Sequence, residues 1–208
     1  MEPTPADRTA ILFDFGGVLF DWNPHYLYLK HFNGDGQAVD DFLAQIHFTE
    51  WNIHQDQGRR FSAAVEEHCA RYPQYCELIR LYDRDWEQSL GGPIWETVEI
   101  LKALREAGYP LYALSNWSEE KFLLIRPRYE FLSWFKDIIL SGSVGMVKPD
   151  PRIFELTFRQ IGHPASECLV IDDSAPNIRV AQELGCRTIH FQSPLQLKTE
   201  LEQSGIRC

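Results

Sequence analysis

The sequence has no long apolar run. Hydrophobic residues make up 44% of the 208 residues, yet no segment approaches the roughly 20 apolar residues of a membrane-spanning helix. Basic residues are also few, with 20 Lys and Arg against 30 Asp and Glu, for a net charge of -10. Because phosphate backbones are bound mainly through clustered Lys and Arg, this balance argues against nucleic acid. We therefore expect neither a membrane nor a nucleic-acid partner.

Cysteine is scarce and shows no metal-binding or disulfide pattern. The chain has five cysteines and no C-x-x-C pair, which predicts reduced thiols and argues against a disulfide framework or a zinc site. The opening "MEPTPADRTA" has no basic start followed by an apolar stretch, so a secretory signal is not indicated and the expected location is the cytoplasm.

The second half of the chain alternates short apolar runs with helical patterns. From Pro93 onward these runs are "LYALS", "FKDIILSGS", "CLVID" and "RTIHF", and the opening "AILFDF" supplies one more. Such alternation is typical of a parallel sheet with covering helices. The sequence therefore predicts an α/β core domain formed by residues 1–20 and 91–208.

Residues 21–90 have a different character. They contain amphipathic patterns such as "VDDFLAQIHFTEW" and "RRFSAAVEEHCARY", without a convincing strand. A crossover between parallel strands needs only about a dozen residues, so this segment is far too long to be one. It predicts a small all-helical domain inserted after the first strand.

Polar side chains stand where the predicted strands end. In an open α/β sheet, ligands bind beyond the carboxyl ends of the strands, so we expect these side chains to converge there. The residues are Asp14, Gly16 and Gly17 after the first strand, Ser115 and Asn116 after the second, Asp172 and Asp173 after the fourth, and Lys148 in the loop "GMVKPDP".

The segments "FDFGGVL", "LSN", "VKPDP" and "VIDDSAPNI" follow one another in this order on those strands. Together they resemble the four motifs of the haloacid dehalogenase (HAD) superfamily, in particular its dehalogenases and sugar-1-phosphate phosphatases with a helical cap. The resemblance implies a Rossmann-like core with helices on both faces of the sheet, and it identifies residues 21–90 with the family's cap.

The resemblance also implies roles for these residues. Asp14 is the expected nucleophile, with Ser115 and Lys148 as the other catalytic residues. A Mg²⁺ ion is expected as the cofactor, since it prefers oxygen ligands. The implied substrate-binding residues are Gly16, Gly17, Ser115, Asn116 and Lys148, and the implied metal ligands are Asp14, the carbonyl of Gly16, Asp173 and Asp172.

These roles predict a Mg²⁺-dependent phosphatase that forms an aspartyl-phosphate. Its expected partner is a small phosphorylated metabolite, of which a sugar phosphate is one option, and the chain is expected to be a monomer or a homodimer. Two alternatives remain open at this point. One is a metal-independent 2-haloacid dehalogenase, and the other is a ligand-binding protein with weak catalysis.

The sequence departs from the family pattern at Gly16. Most phosphatases of the family carry a second Asp at this position, as general acid and base. Such help is worth about 10²- to 10⁴-fold in rate. Asp21 and His25 are candidate substitutes, and Trp51, His54, Asp56 and Arg60 in the cap are candidate substrate contacts.

Simpler structural roles are also open for several of these residues. Asp14 is compatible with a turn cap or a lysine partner, and Asn116 with Glu119 is compatible with a helix capping box. Lys148 is compatible with a solvated loop lysine. The Asp172-Asp173 pair fits the first turn of a helix, where acidic residues are favoured.

Overall fold

The computed structural model describes residues 9–207. The first eight residues of the predicted core domain and the thiol of Cys208 lie outside this range. The described residues form seven strands: β1 (Ala10–Phe13), β2 (Phe20–Trp22), β3 (Leu90–Pro93), β4 (Leu111–Ser115), β5 (Asp137–Leu140), β6 (Cys168–Asp172) and β7 (Arg187–His190).

Five of these strands form a parallel sheet in the order β5-β4-β1-β6-β7. The predicted α/β fold with a parallel sheet is thereby confirmed. Strand β1 is central, and its Phe13 pairs with Ala113 on one side and Ile171 on the other. All four residues of β1 are buried, as expected for a strand covered on both faces. After β1 the chain forms β4 and β5 on one side of it and then β6 and β7 on the other. The crevice beyond the end of β1 is therefore where a ligand is expected.

Strands β2 and β3 form a separate antiparallel pair, in which Asp21 lies opposite Gly92. The expectation of no strand in residues 21–90 is therefore wrong at both borders of that segment. These strands have three and four residues, and β3 reads "LGGP", so neither offers the period-two alternation by which a strand is recognised. The pair connects the sheet to the helical segment between β2 and β3, which we call the cap.

The cap contains five α-helices: α1 (Pro24–Tyr28), α2 (Gly36–Gln45), α3 (Phe48–Asp56), α4 (Phe61–Arg71) and α5 (Cys76–Arg84). Asn23 and Asp35 cap the first two through side-chain bonds to backbone N–H groups. The helices enclose buried aromatic side chains, among them Tyr28, Phe42 and Tyr82. The division into a core domain and a cap domain remains a proposal.

The remaining α-helices cover the sheet: α6 (Trp95–Glu106), α7 (Glu119–Ile125), α8 (Ser141–Val144), α9 (Pro151–Ile161), α10 (Ala175–Glu183) and α11 (Pro194–Gln203). Helix α9 begins where the Asp150 side chain accepts from the Arg152 N–H, and it ends at Gly162, which has φ 72°. Both signals are readable in the sequence. No helix within residues 9–207 combines the length and the hydropathy that a membrane span requires.

Cys69 and Cys76 are joined by a disulfide bond, so the expectation of five reduced thiols is wrong. Helices α4 and α5 are connected by a short helical turn at Pro73–Tyr75. This turn brings the Cα atoms of Cys69 and Cys76 to 4.5 Å. The sequence spacing alone gives no sign of this turn. Cys168 and Cys186 are free and buried.

Candidate active site

Asp14 is the first residue beyond the central strand β1. Its backbone N–H donates to the Ile171 carbonyl at 2.9 Å, which continues the sheet by one residue. Its carboxylate accepts the Phe15 N–H at 2.7 Å, and only 9% of the residue is exposed. The carboxylate is therefore held in a fixed direction at the edge of the sheet.

Lys148 is the cationic partner of this carboxylate. Its Nζ lies 3.0 Å from Oδ2 of Asp14 and 2.6 Å from Oδ2 of Asp172. It also donates to the Leu114 carbonyl at 2.9 Å. The Lys148 side chain is 1% exposed, so the interpretation as a solvated loop lysine is wrong. A buried ammonium is stable here because two carboxylates and a carbonyl replace its hydration.

Asp172 and Asp173 are adjacent, but their surroundings differ. Asp172 is buried, and its oxygens accept from Lys148, the Ser174 N–H at 2.8 Å and the Asn177 amide at 3.0 Å. Asp173 is exposed. The carboxylates of Asp14, Asp172 and Asp173 offer oxygens that all lie within 4.8 Å of one another. Such a set of oxygen donors fits a hard cation such as Mg²⁺.

Gly17 and Gly16 differ in what a side chain would meet. Gly17 has φ +70°, and a Cβ atom there would overlap the Asp173 carboxylate. A Cβ atom at Gly16 would meet nothing within 4 Å. Glycine is thus required at position 17 for the approach of Asp173, whereas position 16 has free space for a side chain.

Ser115 and Asn116 follow β4 on the same side of the sheet. A hydrogen bond from Ser115 lowers the pKa of the Asp14 carboxyl, so the hydroxyl lies against the expected nucleophile. The Asn116 amide donates to the Lys148 carbonyl at 2.9 Å, and its Oδ1 accepts the Lys148 N–H at 2.7 Å. Helix α7 is preceded by Ser118 as its N-cap residue, so a capping box on Asn116 is wrong. Asn116 instead fixes the loop that carries Lys148.

Burial dominates the ionisation of this cluster. It raises the pKa of Asp14 from 3.8 to about 7, although Lys148 opposes the shift. Burial also raises the pKa of Asp173, with Asp172 adding to the effect. Burial lowers the pKa of Lys148, but Asp14 and Asp172 outweigh it and leave the value above 10.5. Crowded carboxylates of this kind favour a bound cation.

A cavity of about 90 Å³ lies between the cap and core residues that include Gly16 and Asn116. Its walls combine aromatic side chains with a few polar groups, and the indole N–H of Trp117 is a buried donor without a partner among residues 9–207. The lining residues are Gly16, Trp22, Asn52, Asp56, Phe61, Tyr82, Trp86, Asn116, Trp117, Ser118 and Lys121.

Of the cap residues singled out in the sequence, Asp56 lines this cavity. Trp51 is buried inside the cap, where its indole donates to the Ala64 carbonyl at 3.3 Å. His54 and Arg60 are exposed, and neither contributes to the cavity wall. Three of the four expected substrate contacts therefore lie elsewhere.

The two suggested replacements for the missing acid and base also lie away from the cavity. Asp21 accepts the Tyr26 hydroxyl at 2.7 Å at an exposed position. His25 pairs with Asp40 at 2.7 Å. Neither contributes to the cavity wall.

A buried lysine between strand-end carboxylates, in an α/β fold with a cavity nearby, is the arrangement that the sequence motifs predict. Residues 9–185 match the family model of haloacid dehalogenase-like hydrolases. The chain belongs to this family and is a hydrolase.

The similar proteins include a phosphatase of nearly the same length. The chain is 28% identical over 200 residues to the sesquiterpene phosphatase astK of Aspergillus oryzae, covering 93% of this chain and 95% of that protein. It is 24% identical over 196 residues to the drimenol cyclase drtB of Aspergillus calidoustus. That match covers 92% of this chain but 35% of drtB.

A solved structure with a similar fold contains ligands. It is a HAD family enzyme of Bacteroides thetaiotaomicron in complex with magnesium and inorganic phosphate, with a TM-score of 0.67 and 25% sequence identity. The similarity covers 89% of this chain and 94% of that one.

Proposed function

We propose that this hydrolase is a Mg²⁺-dependent phosphatase that cleaves a small phosphorylated metabolite through an aspartyl-phosphate on Asp14. The observation that carries the proposal is the cluster of three carboxylates within 4.8 Å of one another, one of which, Asp14, is paired with buried Lys148 at 3.0 Å. The phosphatase astK and the magnesium and phosphate complex of the Bacteroides enzyme support the same reaction class.

Asp14 supplies the nucleophile. Its carboxylate is fixed by the Phe15 N–H and by Lys148. One oxygen can therefore attack phosphorus without the entropy cost of ordering a mobile side chain. The bond between phosphorus and the ester oxygen breaks as the new bond forms, and the leaving oxygen takes up a proton to give the alcohol. Water next attacks phosphorus and gives up a proton, which breaks the bond between phosphorus and Asp14, releases inorganic phosphate and restores the Asp14 carboxylate.

Asp14 and Asp173 would hold the Mg²⁺ ion, with Asp172 beside them. The bound cation would offset the repulsion between an anionic nucleophile and an anionic substrate. Lys148 contributes a further positive charge from within the protein. Asp172 serves mainly to hold Lys148 in place, because its own oxygens already accept from Lys148, Ser174 and Asn177.

The size of the cavity supports a small alcohol part. A cavity of about 90 Å³ is smaller than the roughly 150 Å³ that accommodates benzene in an engineered cavity. A long isoprenoid chain would extend out of this partly open cavity, whereas a short hydroxylated group can contact both the aromatic walls and the Trp117 N–H.

The test is phosphate release from a panel of phosphomonoesters that includes sugar 1-phosphates, short alkyl phosphates and farnesyl phosphate. We expect release with Mg²⁺ and none with EDTA, and higher kcat/KM for the small esters. Asp14→Asn should abolish release, while Asp41→Asn, which changes an exposed carboxylate, serves as its matched control.

The same assay includes 2-chloropropionate. Chloride release that persists in EDTA would show that the protein is a dehalogenase and not the proposed phosphatase. Absence of both products would favour a ligand-binding protein.

A further inference from the structure

Helix α3 of the cap ends at the candidate active site. Its last residue, Asp56, lines the same cavity as Gly16. Most phosphatases of the family carry a second aspartate at this position. This chain has Gly16 there, which has no side chain. The cap thus brings a carboxyl group to the cavity that Gly16 also lines.

The end of α3 is fixed to the core. The Ser141 hydroxyl donates to the Asp56 carbonyl at 2.5 Å. Two residues later, Gly58 has φ +95°, and a Cβ atom there would lie 2.6 Å from the Gly142 carbonyl oxygen. The backbones of cap and core therefore meet directly, which leaves the position of Asp56 little freedom.

The side chain is oriented as well. Asn52, one turn earlier on α3, donates from its amide to Oδ2 of Asp56 at 3.0 Å. The Tyr82 hydroxyl on α5 donates to the Oδ1 of Asn52 at 2.9 Å, which fixes the direction of the amide. Asp56 is thus the end of a chain of hydrogen bonds that runs through the cap to the cavity wall.

The surroundings of Asp56 favour its neutral, proton-bearing form. Burial raises the pKa of Asp56 to about 8; a backbone hydrogen bond from Ser118 opposes this, and the charge of Asp14 adds to it. Lys121 on α7 also lines the cavity, but its ammonium is bonded to the carboxylate and carbonyl of Asp83 at 2.6 Å and 2.7 Å. Tyr82 is the other titratable group of the cavity wall, and its pKa is raised well above 10.0.

We propose that Asp56 is the general acid and general base of the phosphatase reaction, taking the part that an aspartate at position 16 would have. This inference rests on the proposed function. In the first step, Asp14 attacks phosphorus, the ester bond breaks, and the Asp56 proton passes to the leaving oxygen. In the second step, the Asp56 carboxylate takes a proton from the attacking water, and the bond between phosphorus and Asp14 breaks.

The test separates the two steps with two substrates in Mg²⁺. An alkyl phosphate such as propyl phosphate needs a proton on its leaving oxygen, whereas p-nitrophenolate leaves without one. In rapid-mixing experiments, we expect Asp56→Asn to release the alcohol from propyl phosphate about 100-fold or more slowly than the wild type does. With p-nitrophenyl phosphate we expect a burst of one p-nitrophenolate per protein at nearly the wild-type rate, followed by slow turnover.

Two variants control this experiment. Asp21→Asn removes the rival carboxylate, which lies outside the cavity, and should leave both rates unchanged. Gly16→Asp in the Asp56→Asn background should restore at least part of propyl phosphate cleavage, because a side chain at position 16 meets nothing within 4 Å.

A wild-type protein that releases phosphate from neither ester overturns the proposed function, and this inference with it. If the wild-type protein cleaves both esters, two results would overturn the role of Asp56 alone. One is an Asp56→Asn variant with unchanged turnover, and the other is a variant in which alcohol release and the p-nitrophenolate burst slow equally. If that variant does not fold, the wild-type pH profile decides. Alcohol release from propyl phosphate should fall above about pH 8 while the p-nitrophenolate burst does not, and parallel profiles overturn the proposal.

Discussion

The ammonium nitrogen of Lys148 lies 3.0 Å from the carboxylate Oδ2 of Asp14, with the lysine side chain 1% and the aspartate side chain 11% exposed. These residues are far apart in the sequence and come from different loops at the carboxyl edge of the sheet. Their pairing gives Asp14 both a fixed direction and a counter-charge. Because this pair is buried, its removal should affect stability as well as catalysis.

Lys148→Met should destabilise the protein by about 3 to 5 kcal/mol at pH 8, because Asp14 and Asp172 lose their buried cation. Burial raises the pKa of Asp14 to about 7. Its carboxyl is therefore largely neutral at pH 5, and the loss should be smaller there. Urea unfolding at both pH values measures this difference. The control is Lys102→Met at an exposed position; an equal loss at pH 5 and pH 8 would contradict the prediction.

Gly17→Ala should destabilise the protein by more than about 1 kcal/mol, because alanine is strained at positive φ. It also forces the Asp173 carboxylate to move. Gly16→Ala should change stability by less than about 0.5 kcal/mol, since the added Cβ atom has free space. Thermal unfolding of the two variants compares adjacent glycines directly. Equal losses would show that the approach of Asp173 to Gly17 is unimportant.

Mg²⁺ should stabilise the folded protein, because the carboxylate cluster exists only in the folded state. At about 100 times its Kd the ion contributes about 2.7 kcal/mol, which thermal unfolding detects as a higher Tm. Asp173→Asn should remove this increment, because the substitution takes away one of the three carboxylates that would bind the ion. Asp173 is the exposed member of that cluster. Asp150→Asn changes a helix cap on α9 and should retain the increment. An undiminished increment in Asp173→Asn would place the ion elsewhere.

The stability of Asp56→Asn relative to the wild type should increase with pH. The pKa of Asp56 is raised from 3.8 to about 8 in the folded protein. The favourable contribution of its protonated form is complete below about pH 4 and is lost as the pH rises through about 8. An asparagine stays neutral throughout, so the difference in free energy of unfolding should change in its favour from pH 5 to pH 8. Urea unfolding measures it, with Asp41→Asn as the control for loss of an exposed acidic side chain, and a constant difference would refute the raised pKa.

Local sequence patterns were sufficient to predict the parallel sheet. Strands such as "CLVID" are short apolar runs between helical patterns, and all five residues of that strand are buried. Burial and alternation are local properties of the chain, so they can be read without knowing its path. The strand-end position of Asp14 follows from the same pattern, and its pairing with Lys148 agrees with it.

Other features have no local signature. Strands β2 and β3 are too short to show alternation, and the bond between Cys69 and Cys76 depends on a turn between two helices. Asn116 resembled a helix cap, but its partner is the backbone of Lys148, 32 residues away. Each of these contacts depends on where separate elements meet.

The amino-acid sequence by itself determined the α/β core, the helical insertion and the set of polar residues at the strand ends, because periodicity and turn residues act over a few neighbouring positions. Only the tertiary structure decided that Asp56, and neither Asp21 nor His25, borders the cavity beside Gly16. That choice depends on how the cap packs against the core at Ser141 and Gly142. Such packing is set by many weak contacts between distant segments, which no short stretch of sequence contains.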